Sequence, residues 1–141
     1  MAHALYQVAV KLQLMRGNKL LVLTTPDGFV DFPGGRIDDN EQGLAMEQAL
    51  AREIREELGE EFRYRVIDTA FVAHRSYDAH GQTNHILAVH YRAEYVSGAI
   101  TLSEEHDQFA WADPAELYDQ ADRFASRDEY EHFRTYYSAL A

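Results

Sequence analysis

Between residues 43 and 58 the apolar side chains are spaced for a helix: Met46, Leu50, Ile54 and Leu58 fall at steps of four, and Ala45 and Ala49 widen the stripe. Gly59 stands where a helix C-cap glycine belongs. One amphipathic helix cannot bury its own apolar face, so a partner layer must come from the rest of the chain. The rest reads largely as strands. Residues 5–15 alternate in part, with Val8, Val10, Leu12 and Leu14 on one side, and Arg16-Gly17-Asn18 turns into a second strand over 19–23. Thr25-Pro26-Asp27-Gly28 is another turn, and Phe29-Val30-Asp31-Phe32 is a short apolar stretch running into Pro33-Gly34-Gly35. Strand patterns return over 64–76 and 85–96 around a polar turn at 78–83.

Two more helices announce themselves by their caps. Asp113-Pro114-Ala115-Glu116 supplies an N-cap, a proline at the first helical position and a glutamate at N3. Ser126-Arg127-Asp128-Glu129 repeats that logic, followed by an apolar stripe of Tyr130, Phe133 and Tyr137. With 141 residues, 46% of them apolar, the chain fits one domain over residues 1–141 with a core that needs no staple. The expected class is α/β with a mixed sheet.

The charge balance narrows the partners. There are 24 acidic residues against 13 basic ones, a formal net charge of −11. That disfavours duplex nucleic acid and anionic membranes, which both require clustered Lys and Arg. It leaves room for a small phosphorylated ligand if a divalent cation stands between acid and phosphate. With no cysteine, disulfides, thiolate metal sites and a cysteine nucleophile are excluded. The first residues carry no basic segment leading into an apolar run, and no stretch approaches the roughly 18 apolar residues of a membrane span. The expectation is a soluble, cytoplasmic protein.

The chemistry concentrates in Arg52-Glu53-Ile54-Arg55-Glu56-Glu57-Leu58-Gly59. At 100° per residue, Glu56 lies about 60° to one side of Glu53 and Glu57 about 40° to the other. Three carboxylates on one helix face repel one another. They also form a hard oxygen set suited to Mg²⁺ or Mn²⁺. A solvated acidic face salt-bridged by Arg52 and Arg55 would show the same pattern. The preceding Pro33-Gly34-Gly35 shifts that balance, because adjacent glycines let the backbone approach a metal or phosphate closely.

Together these residues resemble the Nudix hydrolase family, whose box reads G-x5-E-x7-R-E-U-x-E-E-x-G-U with U apolar. Gly35 plus five residues leads to Glu41, and residues 52–59 match the second half. Two departures stand out: ten residues rather than seven separate Glu41 from Arg52, and Glu60 takes the last, usually apolar, place. In the family the glutamate at the position of Glu41 pairs with the box arginine; the longer spacing leaves that pairing open here. Weaker resemblance surrounds the box, in Phe32-Pro33-Gly34-Gly35 before it and in Glu105-His106, Phe109-Ala110-Trp111 and Glu116-Leu117 after it.

The resemblance implies a Nudix-type α/β/α sandwich around a mixed β-sheet, and Mg²⁺-dependent (or Mn²⁺-dependent) hydrolysis of a pyrophosphate bond in a nucleoside diphosphate derivative. It makes Glu53, Glu56 and Glu57 metal ligands, with the Gly35 carbonyl a further one, and Arg52 the residue that orients them by ion pairing. The cation would neutralise phosphate oxygens and lower the pKa of a bound water, and a carboxylate would take the proton. That base is Glu56 or Glu57 in one family pattern, and Glu104 or Glu105 in the other. Arg36, Arg75 and Tyr77 are candidate substrate contacts, since arginine pairs with phosphate and aromatics stack on bases.

The substrate stays open among dinucleoside polyphosphates, nucleoside triphosphates and nucleotide sugars. No proline lies between Gly59 and Pro114, where ADP-ribose-cleaving members often carry one, and Tyr77 stands eighteen residues after Gly59, near a tyrosine that often accompanies dinucleoside polyphosphate hydrolysis. The alternatives are removal of pyrophosphate from an RNA 5′ end and, from another class, a non-catalytic nucleotide-sugar-sensing regulatory domain. A homodimer is left open. His74, His80, His85 and His90 lack the convergent spacing of a zinc site and read as surface or strand polar residues.

Overall fold

The computed structural model describes residues 2–41 and 43–140. In chain order its main elements are β1 (Tyr6–Arg16), β2 (Lys19–Thr24), β3 (Val30–Asp31), β4 (Gly34–Arg36), α1 (Met46–Leu58), β5 (Arg63–Ala79), β6 (Gln82–Ser97), β7 (Gln108–Ala112) and α2 (Arg127–Leu140). Alternation along β1 turns Val10, Leu12 and Leu14 to one face and Ala9, Lys11 and Gln13 to the other. All six are buried, so both faces of the sheet are covered.

The sheet is mixed. β1 runs parallel to β6 from Tyr6↔His85 to Met15↔Glu94, and β5 pairs antiparallel on the far side of β6. On its other side β1 meets β4 and the start of β2, and β2 carries β3 and β7. α1 lays Leu50, Ile54 and Leu58 on Val10, Leu12, Val89 and Tyr91. α2 lays Tyr130, Phe133 and Tyr137 on Phe32, Phe71 and Ala73 across the opposite face. The result is the expected α/β/α sandwich.

Several element bounds differ from the sequence reading, each for a local reason. α1 starts at Met46 rather than at 43, because Ala45 is extended (ψ 146°) and its N–H bonds to Gln48 Oε1 at 3.1 Å. Met46 is 39% exposed, so the buried stripe starts at Ala49 and Leu50. The hairpin of β5 and β6 closes more tightly than a turn over 78–83: Ala79 pairs with Gln82, and His80 and Gly81 take positive φ of 54° and 76°, as a two-residue primed turn requires. Residues 34–36, which carry no strand pattern in the sequence, form a strand. A Cβ on Gly34 would collide with the Val10 carbonyl, and its φ of 135° suits only glycine, so β4 can approach β1 only with that residue there. β7 was not anticipated, since all five of its residues are exposed or half-buried and show no alternation.

Ser126 starts α2 as its cap implied, accepting from the Glu129 N–H at 3.1 Å while donating to the His74 carbonyl at 2.7 Å. Asp128 accepts from the His74 N–H at 2.8 Å, which pins the helix to the edge of β5.

Beneath α2 lies a polar seam. Tyr137 donates to Gln13 Oε1 at 2.7 Å, so the Gln13 amide nitrogen donates to His90 Nδ1 at 3.0 Å and the His90 proton sits on Nε2, 3.5 Å from Glu129 Oε1. His90 is fully buried rather than a solvent-facing strand residue, and burial holds its pKa down at about 4. Between that value and the unfolded 6.5 the unfolded chain binds more protons than the folded one, so stability falls as pH drops through this window. Urea unfolding across pH 7 to 4 is expected to show this slope, and His90→Gln to lessen it; an equal slope in the variant assigns it to other groups.

Candidate active site

Two backbone segments converge on the C-terminal half of α1. β4 sets Gly35 opposite Val10, directly against the helix, where a Cβ would collide with the Glu53 carboxylate. The Gly34 N–H donates to Glu57 Oε1 at 2.9 Å. Residues 101–106 are tied to the last carbonyls of α1, Thr101 N–H to Leu58 O at 2.9 Å and Ser103 N–H to Glu57 O at 3.1 Å. These ties bring Glu105 and His106 to the acidic face. The segments enclose a chamber of about 500 Å³ lined by, among others, Gly35, Glu53, Glu57, Arg75, Tyr77 and Glu105.

The carboxylates are unequal. Glu57 is buried, and burial pushes its carboxyl up to about 7, against the opposing pull of Lys11, the Gly34 N–H and His106. Its Oε2 has no hydrogen-bond partner among the described residues. Burial also raises Glu53, opposed by Arg52. Glu56 is exposed and held by Arg52 NH1 at 3.0 Å from both its oxygens, outside the chamber lining. Glu104 lies outside that lining as well, whereas Glu105 belongs to it.

Arg52 gathers the box. Its Nε and NH2 donate to the two oxygens of Glu41 at 2.6 and 2.7 Å, NH2 also reaches Glu53 at 2.8 Å, and NH1 holds Glu56. The three extra residues therefore leave the arginine–glutamate pair intact. These hydrogen bonds from Arg52 draw the Glu41 carboxyl down to about 2.

Opposite the helix, Asp31 organises a second set that sequence reading missed. It accepts from Lys11 Nζ at 3.2 Å, from the Phe32 N–H at 2.8 Å and from His106 Nε2 at 3.0 Å. Burial opposes its charge, but Lys11, His106 and Arg75 prevail and hold its carboxyl far below the usual range. Lys11 spends its remaining donors on the carbonyls of Phe32 and Gly34. Arg75 faces the chamber with its guanidinium committed to Glu129, NH2 to Oε1 at 2.6 Å, and 3.7 Å from Asp31. Arg36 and Tyr77 meet at the mouth: Arg36 NH1 donates to the Tyr77 hydroxyl at 3.0 Å and to Gln7 Oε1 at 2.8 Å. A signal for Lys11 lay in the alternation itself, which puts it opposite Val10 and Leu12 on the face that α2 covers.

The chain belongs to the NUDIX domain family, whose model matches residues 5–133. An 8-oxo-dGTP diphosphatase from Proteus vulgaris is 40% identical over 68 residues, which make up 48% of this chain and 56% of that protein, so the match spans little more than half of the relative. Among solved structures, the MutT protein from Methanosarcina mazei Go1 superposes with a TM-score of 0.72 at 19% identity, covering 96% of this chain and 95% of that one. A C. elegans Ap4A hydrolase superposes with a TM-score of 0.64 at 19% identity, covering 95% and 97%. At these identities the two structures share the fold with this chain. No helix among the described residues is long and apolar enough to cross a membrane.

Proposed function

We propose that the chain hydrolyses a pyrophosphate bond in a small nucleoside diphosphate derivative, with a divalent cation (Mg²⁺, or Mn²⁺ in its place) held at the helix face. One observation carries the reading: Glu57 Oε2 is buried with no hydrogen-bond partner among the described residues, on the same chamber wall as Glu53, behind a glycine whose missing Cβ leaves room for the Glu53 carboxylate. Two desolvated carboxylates at that place need a cation to stay ionised together. Glu53, Glu57 and the Gly35 carbonyl would hold it, with Glu56 completing the set if it leaves Arg52. When bound, the ion supplies neutralisation of the phosphate oxygens and activation of the attacking water.

This chain's own residues do the rest. Arg52 fixes the rotamers of Glu53 and Glu56 from the anchor of Glu41. Glu105 lines the chamber and Glu104 does not, so Glu105 is the loop carboxylate placed to act there. Arg36 and Tyr77 offer a guanidinium and an aromatic face at the mouth, where a second cavity of about 700 Å³ opens past Arg36 and Asp38 along Tyr6 and Gln7. Such a layout suits a phosphate chain in the inner chamber with its organic group outside. The Proteus relative's name points first to nucleoside triphosphates.

The test is a product screen over nucleoside triphosphates, dinucleoside polyphosphates and nucleotide sugars with Mg²⁺, with Mn²⁺ and with EDTA. Cleavage of a pyrophosphate bond that EDTA abolishes is expected, and H₂¹⁸O identifies the phosphorus attacked. Nucleotide binding with no product after long incubation in either metal overturns the enzymatic reading in favour of a sensor domain.

A further inference from the structure

His106 is not part of the helix's acidic face, yet its ring is aimed at it. Its Nε2 lies 3.0 Å from Asp31 Oδ2, and a carboxylate oxygen at that distance is the acceptor for the Nε2 proton. That leaves Nδ1 as the ring's free lone pair. Nδ1 is buried and has no hydrogen-bond partner among the described residues, the same condition as Glu57 Oε2. The two atoms lie 3.9 Å apart, on side chains only 5% and 3% exposed. That separation is too long for a hydrogen bond. A carboxylate oxygen of Glu105 completes a trio whose ligand atoms all fall within 4.8 Å of one another.

We propose that His106 Nδ1 is a metal ligand, forming with Glu57 and Glu105 a nitrogen–oxygen site that takes a first-row transition ion such as Mn²⁺ in preference to Mg²⁺. Each donor would lie about 2 Å from a shared ion, so two atoms 3.9 Å apart are within reach of one cation. Nearby, the Lys11 ammonium does not compete for these atoms, since its donors are committed to Asp31, Phe32 O and Gly34 O. A carboxylate behind a ligating imidazole fixes its tautomer and raises its basicity, and Asp31 occupies that place. Imidazole favours transition ions over Mg²⁺, which prefers an all-oxygen shell. The proposal rests on the cation site described above through the shared Glu57, but what it adds is the identity of a donor atom.

The experiment reads that atom directly. Three-pulse electron spin-echo modulation of the full chain loaded with Mn²⁺ is expected to show the ¹⁴N signature of a coordinated imidazole. His106→Gln is expected to lose it and to lower the ratio of Mn²⁺ to Mg²⁺ affinity, measured by equilibrium binding, by roughly 10–100-fold. A wild-type spectrum without nitrogen modulation overturns the proposal whether or not the variant folds. So does an unchanged affinity ratio in a variant with native circular dichroism. Metal-dependent hydrolysis that persists beside a nitrogen-free spectrum overturns the nitrogen donor alone, whereas failure of the hydrolytic reading shows as the absence of any product.

Discussion

A Glu57→Gln chain is expected to fold normally and to lose turnover by roughly 10²–10⁴-fold, because it takes an anionic ligand from the cation that neutralises the phosphate and activates the water. The amide keeps an oxygen for the Gly34 N–H, and the neighbouring Ile54 and Leu58 packing is untouched. What disappears is the negative charge at Oε2, the buried atom that has no partner among the described residues. The same substitution has a second, opposite consequence. With its pKa raised to about 7 in the folded chain, Glu57 binds its proton more tightly there than in the unfolded chain between pH 4.5 and 7. Without metal, stability therefore declines as pH rises across that window. The glutamine variant has no such group, so in EDTA at pH 8 it is expected to melt above wild type, and in saturating Mn²⁺ to lose the wild type's metal-induced stabilisation. Turnover within threefold of wild type, in a folded variant, removes Glu57 from the cation site.

What the sequence made legible was whatever announces itself by period or spacing. The steps of four in α1, the caps at Asp113 and Ser126, and the box from Gly35 to Gly59 are local patterns that the structure keeps, though the buried stripe of α1 begins only after Met46 and the Asp113 cap opens a single 3₁₀ turn (Pro114–Leu117). β4 and β7 were opaque because short strands take their conformation from the neighbours they pair with. Gly34–Arg36 shows no strand pattern of its own and becomes a strand only beside Val10. The half of the chamber built on Lys11, Asp31 and His106 was opaque for a related reason. These three are 20 and 75 residues apart in sequence, and only the pairing of β1 with β4, just after Asp31 on β3, with residues 101–106 on the end of α1, brings them together. Alternation puts Lys11 on the face away from Val10 and Leu12 but does not say what covers that face, which here is the third layer supplied by α2. Arg75, a candidate phosphate contact, lines the chamber, and its guanidinium also pairs with Glu129, 54 positions away on α2, which no local pattern announces.

That pair supports the second large prediction. Glu129 is 1% exposed, and Arg75 is its principal counter-charge, with neutral His90 3.5 Å off. Arg75→Met leaves the carboxylate buried and uncompensated, which is expected to cost about 3–5 kcal/mol in urea unfolding at pH 7. Replacing both, as Arg75→Met with Glu129→Leu, removes the stranded charge and is expected to recover most of that loss, since a buried ion pair stabilises little over a well-packed apolar one. The single variant should also change the response to acid. Arg75 is one of the charges that hold His90 unprotonated, while Glu129 pulls the other way. Once the guanidinium is gone, a protonated His90 becomes the natural partner for Glu129, so the folded variant takes up a proton that the wild type refuses. Its deficit relative to wild type must then narrow as pH falls from 7 toward 5.5. A loss under about 1 kcal/mol at pH 7, or a deficit that widens with acid, would mean that water reaches Glu129 and that the seam under α2 is not the dry, charge-balanced layer its geometry describes.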